Sequence, residues 1–299
     1  MELETFASAV MEEVQKRLGG GYDISVVTNM KNNSTVFTGI MFRKKKKRTS
    51  PTIYIDDLYA DHCENHLSFS EVIEEVIDRY QKTMGAVDDI CRFRTDFKMC
   101  RTRIIYRLVS REQNREILEN MPYIPFLDLA ITFHLVISIN DRYMQSLKIS
   151  KDIQEKWGVS VEQLFKMAKK NTEKLLPAKV SELRQMVSAY ADPEELMAEK
   201  ELTNEEKIDM IVVSNELGIN GAAAILYEGV IEKLAEDYKS DLYLLPSSIH
   251  EMIVVPALDR TLYDFLEEMV KNINEQYVEK EEILSNRVYI YQREEKKFT

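Results

Sequence analysis

Leu245-Pro246-Ser247-Ser248-Ile249-His250-Glu251 places two hydroxyls, an imidazole and a carboxylate within seven residues, using one of only four histidines in the chain. Those are the residue types of a nucleophile, its base and the group that orients the base. Their closeness argues against a relay. Known Ser–His–carboxylate triads draw on distant segments, because neighbours in sequence seldom reach the required line. No Gly-x-Ser-x-Gly elbow is present either. The string lies between two apolar runs, Leu242–Leu244 and Met252–Val255. The simpler reading is a rigid turn between two strands, with Pro246 and the serines reversing the chain. His250 is then presented either to the core or to a ligand. Ser247, Ser248, His250 and Glu251, with Asn171, form the candidate ligand-binding surface.

A second constellation sits on the segment Phe126–Ser138. Leu127, Leu129, Ile131, Phe133, Leu135 and Ile137 alternate with Asp128, Ala130, Thr132, His134, Val136 and Ser138, the period of a strand with one apolar face. In an antiparallel sheet the polar face simply meets water, which is the favoured reading. If a layer covers it instead, Asp128 and His134 become buried groups that need partners, and a functional role gains weight. Six residues of strand separate the two by about 20 Å, so they do not pair directly.

Other patterns are weaker. Gly218-x-x-Gly221 precedes a helix pattern, but it lacks the third glycine of a dinucleotide fingerprint and the Lys-Ser/Thr of a P-loop. His62-x-x-x-His66 has metal spacing on a helix face. Cys63 stands where a zinc protease has its glutamate, so no metal is assigned. Arg43–Arg48 is six consecutive cations, most simply a solvated loop. Arg92, Arg94, Lys98, Arg101, Arg103, Arg107, Arg111 and Arg115 interleave with Phe93, Phe97 and Tyr106, a mixture that suits single-stranded nucleic acid. In a chain of net charge -11 the same arginines equally serve internal pairing or an anionic partner, and nucleic acid ranks below both.

The elements that must position these groups read as follows. Leu3, Phe6, Ala7, Val10, Val14 and Leu18 have helical spacing, and Gly19-Gly20-Gly21 stops that helix. Two alternating runs, at 22–28 and 35–41, flank Asn32-Asn33 as a hairpin. A third strand follows at Thr52–Ile55, and Ser68 with Glu71 caps a helix from about Phe69 to Lys82. Further strands are expected at Arg101–Val109, at Ile208–Val213 and on either side of the Leu245–Glu251 string. A polar helix is expected around Arg111–Glu119, one opened by Ser160 and Gln163, one from Asn220 through Leu234 and one over Leu262–Tyr277. Arg287–Tyr291 reads as a terminal strand. Ala191–Lys207 is acid-rich and reads as a loop or solvated helix.

With 299 residues, 44% hydrophobic, the chain can build a large core. Three cysteines without a Cys-x-x-Cys pair suit a reducing compartment. Met1-Glu2-Leu3-Glu4 lacks the basic start of a signal peptide, and Ile124–Ile139 is too short and too polar to span a bilayer. A cytoplasmic location is expected by elimination.

Several strings, taken in order and spacing, resemble domain of unknown function family 5688. They are Tyr106-Arg107-Leu108-Val109, Ile124-Pro125-Phe126-Leu127-Asp128-Leu129-Ala130, Trp157-Gly158-Val159, Asn171-Thr172, Gly221-Ala222-Ala223, Leu245–Glu251 and Leu284-Ser285-Asn286-Arg287-Val288-Tyr289. The resemblance covers nearly the whole chain, and Leu245–Glu251 is its most specific part. It implies a bacterial cytoplasmic protein and one family-length unit, and it supplies no catalytic residues.

The expected fold is α+β, a mixed or mainly antiparallel sheet with helices packed on it, in two lobes. Residues 1–88 would form a helix-plus-hairpin lobe, and residues 89–299 a main domain with the acidic loop 191–207. The leading functional expectation is a non-enzymatic binding or regulatory module for a protein or small ligand, with no cofactor, no metal and no membrane partner. One alternative is a hydrolase or transferase assembled around Asp128, His134 and His250. The other is nucleic-acid binding through Arg92–Arg115.

Overall fold

The computed structural model describes residues 2–44, 50–93, 96–140, 143–184, 209–246, 248–258 and 261–299, with residues 84–93 described by backbone alone. They divide into two units, Met1–Cys100 and Arg101–Thr299.

In the first unit, helix α1 (Leu3–Leu18) buries the Phe6, Ala7, Val10 and Val14 stripe that its periodicity predicts, and it ends at Gly19 with φ 74°. Strands β1 (Tyr22–Met30), β2 (Val36–Lys44) and β3 (Thr52–Tyr54) form an antiparallel sheet, with Asn33 and Ser34 at positive φ in the β1–β2 turn. Helices α2 (Asp56–Cys63), α3 (Phe69–Phe93) and α4 (Phe97–Cys100) follow. The expected capping box opens α3. Glu71 accepts from the Ser68 backbone at 2.7 Å, and Ser68 Oγ accepts from the Glu71 backbone at 3.4 Å. The core joins Phe6, Val10 and Val14 to Ile24, Ile40 and Phe42 of the sheet and to Val72, Ile73 and Val76 of α3. Each such side chain contributes about 1.5–3 kcal/mol by leaving water. Residue 88 lies inside α3, and the first unit ends at Cys100.

The second unit holds two antiparallel sheets. Strands β4 (Ile104–Ser110), β5 (Tyr123–Phe126), β6 (Leu129–Ile139) and β7 (Met144–Lys148) make the first, with β6 in its middle. Helix α5 (Arg115–Glu119) lies between β4 and β5 in the chain. Helix α6 (Lys151–Trp157) ends on Gly158 at φ 64°, and helix α7 (Val161–Leu175) begins with the expected Ser160–Gln163 capping box. The second sheet runs β13-β12-β10-β11-β9-β8, from β8 (Ala178–Glu182), β9 (Ile211–Asn215), β10 (Leu242–Leu245), β11 (Met252–Pro256), β12 (Tyr289–Gln292) and β13 (Lys297–Phe298). Helix α8 (Val230–Tyr238) precedes β10, and helix α9 (Leu262–Tyr277) covers part of one face of this sheet through Leu266 and Val270.

Three expectations are corrected. Phe126–Ser138 is not one strand. It is a hairpin, with β5 and β6 joined through Leu127 at φ 53° and Asp128. Nor does one face of β6 meet water, since every residue from Leu129 to Ile137 is buried. The helix expected from Asn220 through Leu234 is broken. Gly221–Leu226 forms a 3-10 turn, Asn220 is left-handed without a side-chain cap, and Tyr227 leaves helical geometry before α8. The acidic segment 191–207 lies outside the described residues. Among those described, no helix is long and apolar enough to cross a membrane.

One sheet edge is protected by a helix. The Tyr106 backbone N–H, on the β4 edge away from β6, donates to Thr172 Oγ1 at 3.1 Å. Asn171 Nδ2 donates to Ile104 O at 2.9 Å and to Arg101 O at 2.7 Å. Two adjacent side chains of α7 thus close an edge that would otherwise offer bare backbone groups.

Candidate functional site

The Leu245–Glu251 string is the expected connection between two strands, and three segments hold it. Its backbone runs beside residues 282–285. Ser248 bridges Ile283, Ile249 N donates to Glu282 O at 2.8 Å, and Ser285 N donates to Pro246 O at 2.9 Å. On the other side Ala222 N donates to Ile249 O at 3.2 Å, and Ser214 Oγ donates to His250 O at 2.7 Å. Gly221 makes that approach possible, since its Cα faces His250 O and the Asn215 backbone with no room for a side chain. Ser247 is outside the described residues.

His250 is half-buried and held at both ring nitrogens. Nε2 lies 3.1 Å from Glu282 Oε1, and Nδ1 lies 3.2 Å from Gly218 O and 3.4 Å from Asn220 N. A protonated ring donates to Glu282 and Gly218. A neutral ring keeping its proton on Nε2 accepts from Asn220 instead. Neither arrangement leaves a nitrogen for Ser248. Ser248 Oγ accepts from the His250 backbone N–H at 3.0 Å and hydrogen-bonds the Glu251 carboxyl. The three side chains are together, but no hydrogen bond joins the Ser248 hydroxyl to the His250 ring.

Glu251 faces elsewhere. Lys179 pairs in register with Ser214, Ser181 with Val212, and Ile253 with Val212, so alternation puts Lys179, Ser181, Ser214 and Glu251 on one face of the β8–β9–β11 corner. They line a cleft of about 350 Å³ that also takes in Asn215, Glu216 and Gly218. Burial pushes the Glu251 carboxyl above the ordinary glutamate value. His250 and Ser248 pull it back in part, and nearby Glu282 adds to the rise.

The remaining predicted residues lie in other settings. Asp128 accepts from Ser285 Oγ at 2.8 Å and from the Tyr289 hydroxyl, tying the β5–β6 turn to β12. Burial, then Asp128 itself, pushes the Tyr289 hydroxyl up, so it remains a donor. His134 is 5% exposed on β6, with Nε2 3.1 Å from Thr132 Oγ1. Its pKa is held well below 6.5 by burial first, then by Arg107 and Lys148. Asn171 serves the β4 edge. Asp128, His134 and His250 therefore have separate partners, and no hydrogen bond or ion pair joins any two of them.

The basic segment is also dispersed. Arg103 donates to Ile137 O, Arg107 to Ser146, and Arg115 to Glu112. Arg94 and the Arg92 side chain are outside the described residues, as are Lys45 to Arg48 of the other basic run. His62 bonds Leu67 O and stacks on Phe6, while His66 faces Asp61 and Glu64. Among the described residues no cluster of His, Cys, Asp and Glu could hold a metal. Lys179, Ser181, Ser214 and Glu282 were not legible as site residues. Glu282 stands 32 residues from His250, and nothing local marks it.

The model of the Family of unknown function (DUF5688) matches residues 3–293 of the chain. No curated relative and no solved structure matches it.

Proposed function

The chain belongs to this family of unknown function, and within it we propose that the unit Arg101–Thr299 binds a small polar ligand in the Glu251 cleft, without catalysing its conversion. The observation that supports this reading is a carboxyl group lifted by burial yet lining an open cleft beside hydroxyls and a lysine. A ligand ammonium or other N–H donor would return to Glu251 the compensation that burial removes. Lys179 and Ser181, on the same cleft wall, would meet an acceptor at the ligand's other end. The ligand class is therefore a small amine or zwitterion. A lone perturbed carboxyl could also serve as acid or base, but the neighbouring Ser248 and His250 are committed to structural bonds, so binding is the reading they favour.

Calorimetric titration with a panel of primary amines, amino acids and guanidines at pH 7–8 tests it. At least one should bind saturably, Glu251→Gln should abolish that binding while the protein stays folded, and Ser181→Ala should weaken it. Unchanged binding by folded Glu251→Gln, or no binding across the panel, would overturn the reading.

A further inference from the structure

One side chain of β4 crosses its neighbouring strand. Arg107 is opposite Thr132 of β6, yet its Nη2 donates to Ser146 Oγ of β7 at 2.6 Å, on the far side of β6. The guanidinium therefore lies over the β6 surface, on the face that register assigns to Ile105, His134 and Val136. Burial decreases along this face of β4, from Ile105 at 0% exposure to half-buried Arg107 and Val109, so the face opens toward solvent at the arginine.

The charge at this place has no counterpart. Arg107 Nε is buried without an acceptor. Among the described residues no carboxylate pairs with the guanidinium, and burial alone brings its pKa down to about 10. Its neighbours are no remedy. Lys148 is opposite His134 in register and is a second cation, and His134 is neutral with Nε2 taken by Thr132. A desolvated guanidinium that lacks both a carboxylate and an acceptor for Nε is a costly arrangement for structure alone. A planar two-oxygen ligand on the outer N–H groups would supply the missing negative charge.

We infer that Arg107, with Ser146 and Lys148 beside it, binds a small oxyanion, the carboxylate or phosphate group of a ligand. The outer N–H groups of the half-buried guanidinium supply the donors. Ser146 Oγ accepts from Nη2, which leaves its own hydrogen for the anion, and Lys148 adds charge at the exposed end. In a chain of net charge -11 anions are repelled at long range, so such a site must act through fixed short-range donors.

The test is titration of the full chain with inorganic phosphate and with acetate, at ionic strength balanced by sodium chloride. His134 ring resonances are followed by NMR. The expected result is a saturable His134 shift with at least one anion, absent in Arg107→Met. Arg107→Lys, a point charge without the fork, should bind roughly ten-fold more weakly, the effect of losing one charge-assisted hydrogen bond. Response to phosphate, to acetate or to both identifies the anion group. No saturable shift in the native protein with either anion overturns the proposal, whatever the variants do. So does a shift of native affinity in Arg107→Lys, which keeps the charge and serves where Arg107→Met does not fold.

Discussion

Gly221→Ala should be among the most damaging single-methyl changes in the second unit. An alanine Cβ would overlap Ser214 Oγ and sit 2.5 Å from His250 O and 2.7 Å from Asn215 N. Two of those three atoms are backbone and cannot rotate away. Ser214 Oγ can rotate, but only by releasing its 2.7 Å bond to His250 O. Overpacking of this kind costs about 1–3 kcal/mol, and the lost hydrogen bond adds about 1 kcal/mol. The total is roughly 2–4 kcal/mol, which for a protein of this size lowers the thermal midpoint by roughly 5–15 °C. Urea unfolding followed by circular dichroism should show a lower midpoint at unchanged slope. A double-mutant cycle sharpens the reasoning. In a Ser214→Ala background one overlap and one bond are already gone, so Gly221→Ala should cost about 1 kcal/mol less there, while the backbone overlaps keep the cost above zero. A Gly221→Ala midpoint within about 0.5 kcal/mol of the native protein, or a cost independent of residue 214, would refute the close-approach explanation.

Two further outcomes follow from groups with defined partners. Glu251 holds its proton more tightly folded than unfolded, so its contribution is present below the ordinary glutamate pKa and lost as pH rises through the raised value. Glu251→Gln removes that loss. Its stability relative to the native protein should climb between pH 4 and pH 8 in urea titrations, and a pH-independent difference would contradict the assignment. Asp128→Asn replaces one acceptor oxygen by a donor, leaving either Ser285 or Tyr289 facing an N–H. The expected cost is about 1.5–3 kcal/mol. Tyr289→Phe should cost less in that background than in the native protein, whereas additive effects would mean that the pair is not coupled.

Local patterns were legible where one element decides its own fate. The α1 stripe and the Ser68–Glu71 and Ser160–Gln163 caps depend on residues a few positions apart, and the structure repeats them. Alternation misled at Asp128, because a chain can keep the period of a strand while reversing through one left-handed residue. Leucine at such a position gives no warning. It misled again at β6, where Thr132 and His134 looked like a solvent face. They lie buried on the face that Arg107 crosses to reach Ser146, an arrangement that no spacing within β6 encodes. The cleft was half legible for the same reason. Glu251 belongs to a string that drew notice, whereas Lys179 and Ser214 become its neighbours only through strand register.

The strings that carry the family likeness interlock with one another in the second unit. Tyr106 rests its backbone on Thr172 and its hydroxyl on Ala223 O. Asp128 takes hydrogen bonds from Ser285 and Tyr289, and Pro246 accepts from the Ser285 backbone. Gly221 makes room for His250. Most polar groups of those strings are thereby consumed in holding the two sheets and their turns together, which explains why a Ser–His–Glu string need not be catalytic. Glu251 and Arg107, from the same strings, are satisfied only in part. Glu251 is buried yet lines an open cleft, and Arg107 is desolvated with no carboxylate to meet it among the described residues. Neither the partial compensation of Glu251 by Ser248 and His250 nor the single Arg107–Ser146 bond removes the cost of burying these two groups. Ligands that supply the missing charges give both a reason to be there.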